Sequence, residues 1–420
     1  MKHLIIGNGP AGVIAAETIR KYDSKCSIMM FGSEDEPPYS RMALPYLLEG
    51  NISEEGTYLR KNNSHFRDLD IDTITDFAAT VDPKQKTVLF QSGRSEKYDR
   101  LLIATGSKAI APPIPGLDLP NVHNCWTMDD ARAIASKASK GKRIVQIGAG
   151  FIGCILLEAF VNRGAKLTVV ELGNRMVPRM MTKKAGSIIK NWVIKKGVNV
   201  LTGASVDKIE KASSDGALKV TVSNGQTLDC DLVVVSAGVT PNIGFLAGSG
   251  IKTSIGIVTN NRMETSITDI FAAGDVAQAP ELNTGEQIVS AIQPNAADQG
   301  RIAALNMIGS AVDHTGVLAM NVLDTIGLVS SSFGDWEGVN ADETVELCEE
   351  ALSRYISLQF SKNTLIGATS VGLTQHVGAL RGLIQNQVKL GGWEKQLLDD
   401  PLKIPEAYIA CAQKPSALNG

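Results

Sequence analysis

Two short apolar runs near the start of the chain, residues 2–6 (KHLII) and 26–31 (CSIMMF), flank a stretch, 12–22 (GVIAAETIRKY), whose apolar positions recur at helical spacing. The pattern predicts strand, helix, strand. Gly7, Gly9 and Gly12 fill the turn between the first strand and the helix, and Glu34 lies 22 residues after Gly12. The same plan returns further on. Residues 143–147 (RIVQI) lead into Gly148, Gly150 and Gly153, a helical stretch follows over 151–164, and the strand 166–171 (KLTVVE) ends at Glu171. The first glycines of the two motifs are 141 residues apart, about one domain length.

Glycines in this spacing each have a physical task. The first permits a tight turn, the second lets a pyrophosphate approach the backbone, and the third lets helix and strand pack closely. The helix N-terminus then offers unpaired N–H groups and its dipole to the phosphates, while the acidic residue about 20 positions on meets a ribose. One such motif is weak. Two, each with strand, helix and acid in place, predict two dinucleotide sites in an α/β chain.

Three more apolar runs stop at small residues. They are 98–107 (YDRLLIATGS), 230–242 (CDLVVVSAGVTPN) and 267–278 (ITDIFAAGDVAQ), the last carrying Gly274 and Asp275. Small residues there allow close approach to a bound group, although each end could also be an ordinary strand terminus. Pro294 is placed to begin a helix over 293–309. The last hundred residues change character. Residues 352–372 read as two antiparallel strands joined by SKN, and 374–386 as an amphipathic helix, so a third, α+β domain is expected.

The chain has 420 residues, 44% hydrophobic and 20% charged, which supports ordinary cores and excludes a disordered chain. A net charge of −3 gives no overall field for nucleic acid. No apolar run reaches the roughly 18 residues that a membrane span needs. The six cysteines, at 26, 125, 154, 230, 348 and 411, form no CxxC or CxxxxC pair, which argues against a zinc or iron–sulfur site and against a local redox disulfide, so no metal is expected. The apolar N-terminus has the outline of a signal peptide, but its glycines explain it better, and a cytoplasmic protein is expected.

The ordered set GNGPAG, ATG, GAGFIG, SAG and AAGD resembles the pyridine nucleotide-disulfide oxidoreductase superfamily over essentially the whole chain. PPYSR at 37–41, QPNAADQGRIAALN at 293–306 and the C-terminal segment narrow the likeness to rubredoxin reductases, the flavin domain of nitrite reductase and related NADH-linked flavoproteins. The resemblance implies FAD on residues 1–112 with 243–320, NAD on 113–242, and a C-terminal interface domain over 321–420 that forms a homodimer. It places Gly7, Gly9, Pro10, Ala11, Gly12, Glu34, Arg41, Val81, Ala104, Thr105, Gly106, Asp275 and Pro294 at FAD. Glu34 would hold the adenosine ribose, Arg41 would lie near the pyrophosphate, and Asp275 would hold the ribitol. It places Gly148, Gly150, Phe151, Ile152, Gly153, Glu171 and Gly238 at NADH, with Phe151 as the nicotinamide gate.

Three departures shape the expected chemistry. Relatives that reduce peroxide or coenzyme A disulfide carry a cysteine where this chain has Met42, and dithiol relatives carry a CxxxxC that is absent here. A Lys–Glu pair found in many relatives is replaced at the matching positions by Tyr46 and Ile155. The expected activity is therefore hydride transfer from NADH to FAD, with electrons leaving directly to a rubredoxin, ferredoxin or iron–sulfur subunit. The alternatives are an NADH oxidase or a peroxide- or disulfide-type reductase, and a flavin electron-transfer subunit of a larger complex.

Overall fold

The computed structural model describes residues 1–212 and 216–412, so residues 413–420, the end of the expected C-terminal segment, lie outside the described residues. By internal contacts the chain groups into two units: Met1–Lys108 with Val239–Leu318, and Ala109–Gly238 with the chain from Ala319 onward.

The first unit is built on a five-stranded parallel sheet in the order Ile270–Ala272, Arg100–Ile103, Lys2–Ile6, Ser27–Gly32, Ile71–Thr75. Its three central strands are near-continuous apolar runs because a parallel sheet is covered on both faces. The helix Pro10–Tyr22 buries Ala11, Val13, Ala15, Ala16 and Ile19, a face of mostly small side chains. That face lets the helix Gln293–Met307 cross at very short range, where a Cβ on Gly300 would overlap the Ala11 carbonyl.

The second unit repeats the plan with Asn199–Thr202, Lys166–Glu171, Arg143–Ile147, Leu232–Val235 and Val122–Asn124, again all parallel. Each sheet has a three-stranded antiparallel sheet inserted in the chain: Ala78–Asp82, Thr87–Phe90 and Ser95–Lys97 before Arg100–Ile103 in one, Val206–Lys211, Leu218–Val222 and Thr227–Cys230 before Leu232–Val235 in the other. The two copies differ in the outer strand beside the one that follows the insertion. In the first unit it comes last in the chain, and in the second it comes before the glycine motif. Both units are Rossmann-like, as the repeated motif predicts.

The expected C-terminal hairpin is Arg354–Ser361 with Thr364–Val371. Ser361 belongs to the strand, and the turn is the two residues Lys362 and Asn363 at φ +50° and +61°, the left-handed pair that tight hairpins use. Three further strands, Met320–Thr325, Leu328–Gly334 and Glu343–Glu349, complete a five-stranded antiparallel sheet. The helix expected from 374 begins as a single 3₁₀ turn, Thr374–His376, before Val377–Gln385. Among the described residues no helix is long and apolar enough to cross a membrane.

Candidate dinucleotide-binding sites

The two glycine loops share one geometry. Gly7 N–H donates to Phe31 O at 2.7 Å and Gly148 N–H to Val170 O at 2.8 Å, tying each loop to the neighbouring strand. Both glycines hold positive φ, +116° and +101°. A Cβ on Gly7 would overlap Ala104 O, and one on Gly148 would press on Ser236 O. The third glycines are equally closed, with Gly12 against Gly7 O and Gly153 against Gly148 O. The middle glycines behave differently. A Cβ on Gly9 or Gly150 would meet nothing within 4 Å, and both lie in ordinary extended backbone, φ −74° and −75°. The fold therefore needs the first and third glycines, whereas open space faces the second.

Each middle glycine caps a helix, Pro10–Tyr22 or Phe151–Asn162, whose first-turn N–H groups have no intrahelical acceptor. Pro10 at the start of the first helix removes one such donor at no cost. Open space, donors and a helix dipole at one point suit a pyrophosphate. On this test the residues fit one dinucleotide in each unit. Ala11 is buried beneath its loop, while Phe151 and Ile152 are half-buried at the second helix start.

The acids at the ends of the second strands have different partners. Glu34 is paired with Arg41 at 2.5 Å and accepts from the Tyr39 hydroxyl at 2.6 Å. The Arg41 guanidinium also donates to that hydroxyl at 3.0 Å and lies over the Tyr39 ring. Sequence reasoning named Glu34 and Arg41 but not Tyr39, which stands two residues from Arg41 in the quoted segment PPYSR. Glu171 is 7% exposed, and its two oxygens accept from the backbone N–H of Ala149 and of Gly173, each at 2.6 Å. It thus fastens the second glycine loop to its own strand end. Each oxygen keeps a second lone pair for a ribose hydroxyl. Arg175, a candidate partner for a 2′-phosphate, is spent on its own loop: it donates to Met181 O and Pro178 O, both at 2.9 Å, and to Asn174 Oδ1 at 3.2 Å.

The remaining sequence-selected residues of the first unit gather around the same loop. Ala104 N–H donates to Ile6 O at 2.7 Å. Thr105 and Gly106 are stitched to Asn242: Thr105 Oγ1 donates to Asn242 O at 3.0 Å, Asn242 Nδ2 to Thr105 O at 3.0 Å, and Asn242 N–H to Gly106 O at 2.9 Å. In the sequence Asn242 marks only the end of an apolar run. Asp275 accepts from Ser107 Oγ at 2.9 Å. Burial pushes the Asp275 carboxyl above the usual range, and the Ser107 bond and the Arg41 charge only partly oppose it. A desolvated carboxylate of this kind suits a hydroxyl-bearing ligand that can donate to it. Gly274 N–H donates to Gln299 at 2.8 Å, and Pro294 sits in the first turn of that same helix, so the helix positions the Asp275 turn. Ser40 Oγ meets Gln293 Oε1 at 2.5 Å, joining the two segments that narrowed the resemblance. Val81 points its side chain into the core with Phe31 and Phe90, so a ligand contact there would fall to its main chain. In the second unit Gly238 holds φ +105° and its carbonyl accepts from Ile110 N–H at 2.9 Å.

Met42 is the middle residue of a short turn, Arg41–Ala43, and is 40% exposed, and Tyr46 in the helix Leu44–Glu49 is 53% exposed. Ile155 is half-buried within Phe151–Asn162. All six cysteines are free thiols. Burial raises every one above its ordinary value, Cys125 and Cys230 to about 12 and Cys154 higher still.

Residues 1–300 match the pyridine nucleotide-disulphide oxidoreductase family. The chain is 30% identical over 406 residues to subunit epsilon of the NADH-dependent phenylglyoxylate dehydrogenase of Aromatoleum evansii, covering 96% of both chains. It is 32% identical to an NADH oxidase of Methanocaldococcus jannaschii, over 74% of this chain and 70% of the relative. A solved ferredoxin reductase from Rhodopseudomonas palustris superposes with a TM-score of 0.82 at 29% identity, covering 90% of this chain and 92% of that one. Two matched glycine cradles, two strand-end acids and a whole-chain likeness agree: the chain belongs to the pyridine nucleotide-disulphide oxidoreductase family and is an NAD(P)H-dependent flavin oxidoreductase.

Proposed function

We propose that this chain takes electrons from NADH through FAD and delivers them to a one-electron redox protein, a rubredoxin, ferredoxin or iron–sulfur subunit, without a cysteine relay. The observation that carries the last part is the state of the thiols. A relay needs a paired or flavin-side thiol; the six cysteines form no CxxC or CxxxxC pair, Met42 stands where such relatives carry a cysteine, and burial raises each metal-free thiol above its ordinary value. Bound FAD supplies two-electron acceptance and one-electron release. The chain holds and orients it: the Gly9 loop for its pyrophosphate, Glu34 for its ribose, Asp275 for its ribitol. The Gly150 loop and Glu171 do the same for NADH, with Phe151 gating the nicotinamide. We infer a functional division into 1–112 with 243–320, 113–242, and 321–420, the last serving a homodimer in the cytoplasm.

Replacing all six cysteines by serine leaves NADH-to-dye turnover within about twofold, apart from stability losses at the four buried positions. A specific loss of turnover in one well-folded Cys→Ser variant would reveal a thiol relay.

NADH is the preferred nucleotide. A 2′-phosphate would meet the Glu171 carboxylate in a partly desolvated site, at a cost of roughly 2–3 kcal/mol, or about 30- to 100-fold. Arg175 offers little relief, since its donors serve the loop carbonyls. The contact is remote from the nicotinamide, so the discrimination falls on binding. Glu171→Gln narrows the gap. Glu171→Ala also narrows it, but strips the acceptor from two backbone N–H groups and costs about 1–3 kcal/mol of stability for each one left buried. Stopped-flow flavin reduction with each nucleotide decides; equal reduction by NADPH in the unmodified protein contradicts the proposal.

The end-to-end likeness to a dehydrogenase subunit favours a second reading, an electron-transfer subunit of a larger NADH-dependent complex. Fast turnover of the isolated chain with NADH and a one-electron dye supports a free-standing reductase. Fast turnover only with co-purified subunits supports the complex.

A further inference from the structure

Parallel pairing of the first two strands brings three possible metal ligands together that sequence spacing separates. His3 sits in Lys2–Ile6 opposite Ile28, Asp23 ends the first helix, and Cys26 immediately precedes Ser27–Gly32. One ligand atom from each lies within 4.8 Å of the others. The His3 side chain is fully buried, and neither ring nitrogen has a hydrogen-bond partner. An imidazole left so is a rare and costly arrangement that calls for a ligand. Cys26 is buried beside it, with its thiol on Asp23 O at 3.3 Å. Asp23 Oδ1 accepts from the N–H groups of Lys25 and Cys26, which fixes the carboxylate in place.

We propose that His3, Asp23 and Cys26 bind one divalent cation of the zinc class. One nitrogen, one sulfur and one oxygen donor suit zinc, whereas magnesium and calcium take oxygen donors. A thiolate and a carboxylate together neutralise the ion, so no net charge is buried. Three protein ligands leave a fourth position for water. Binding breaks the Cys26 S–H bond, forms a metal–sulfur bond and releases the proton to solvent, with no change of oxidation state. The nearest opposing charge is Arg20, whose Nη1 lies 3.9 Å from Cys26 Sγ, but Arg20 is held by Leu69 O and Asp70 O, both at 2.7 Å. Asp99, Arg100 and the N-terminal amine also act on His3. The site is at the opposite end of the first strand from Gly7, roughly 13 Å away at strand rise. It clamps the first strand, the first helix end and the second strand, and takes no part in electron transfer.

The test is cobalt(II) titration of the flavin-loaded full chain after chelator dialysis. The expected result is about one equivalent bound, with tetrahedral d–d bands at wavelengths beyond the flavin absorption, displaced by zinc(II). The bands vanish in Cys26→Ala and persist in Cys348→Ala, whose thiol is exposed. Should Cys26→Ala fail to retain flavin, His3→Gln is the second variant, with affinity at least about tenfold weaker. Absence of the bands in the unmodified protein overturns the proposal, as does their persistence in Cys26→Ala or their loss in Cys348→Ala.

Discussion

Gly9→Val yields a folded but colourless protein. Gly9 lies in extended backbone that valine adopts, and its Cβ meets nothing within 4 Å, so the apoprotein loses little. The same methyl groups stand where a pyrophosphate must touch the backbone. Overpacking of that kind costs roughly 3 kcal/mol, or about 100-fold in flavin affinity. Gly12→Ala is the opposite case. Its Cβ overlaps Gly7 O within the loop itself, so the loop must distort whether or not a ligand is present. Flavin content by absorbance, beside the Tm of the unmodified apoprotein, separates the two; the apoprotein is the reference because bound flavin itself raises Tm. A yellow Gly9→Val protein with one FAD per chain contradicts the assignment of the first loop.

Gly150→Val stays yellow and is not reduced by NADH. The second loop repeats the geometry of the first, with open space at the middle glycine and closed packing at Gly148 and Gly153. A valine there excludes the nicotinamide dinucleotide by the same roughly 100-fold and leaves the first unit unaltered. Dithionite still bleaches the flavin, which shows the cofactor competent. The defect appears in the second-order rate of reduction by NADH, read under anaerobic stopped flow. Unchanged reduction by NADH would place the nucleotide elsewhere.

The centre of each Rossmann-like unit was legible because long apolar runs and glycine turns carry their own signal. The outer strands were not. Ile71–Thr75 buries only its first residue and is otherwise largely exposed, and Val122–Asn124 has three residues, so neither makes an apolar run. Glu343–Glu349 is an edge strand with three glutamates and no buried residue, so its short alternation of Val345 and Leu347 is a weak signal. The residues nominated for the site, Val81 apart, lie inside motifs, whereas residues that act by tertiary contact carry no such signal. Tyr39 serves Glu34 across a turn, and Asn242 serves Thr105 from 137 residues away. His3, Asp23 and Cys26 come together only because the first two strands pair in parallel. The loop-fastening bonds of Glu171, beside the ribose role proposed for it, were likewise invisible, because its backbone partners leave no trace in residue type.

The most direct test of the central claim is a double-mixing anaerobic experiment on protein in which all six cysteines are serine. NADH is mixed first and the bleaching of the flavin followed; oxidised rubredoxin or a ferredoxin is mixed second and the return of colour followed. The account predicts full bleaching by NADH and rapid recovery with two equivalents of the one-electron acceptor, at rates close to those of the unmodified chain. Failure of NADH to bleach the flavin, or recovery that needs a disulfide or an intact cysteine, would contradict it.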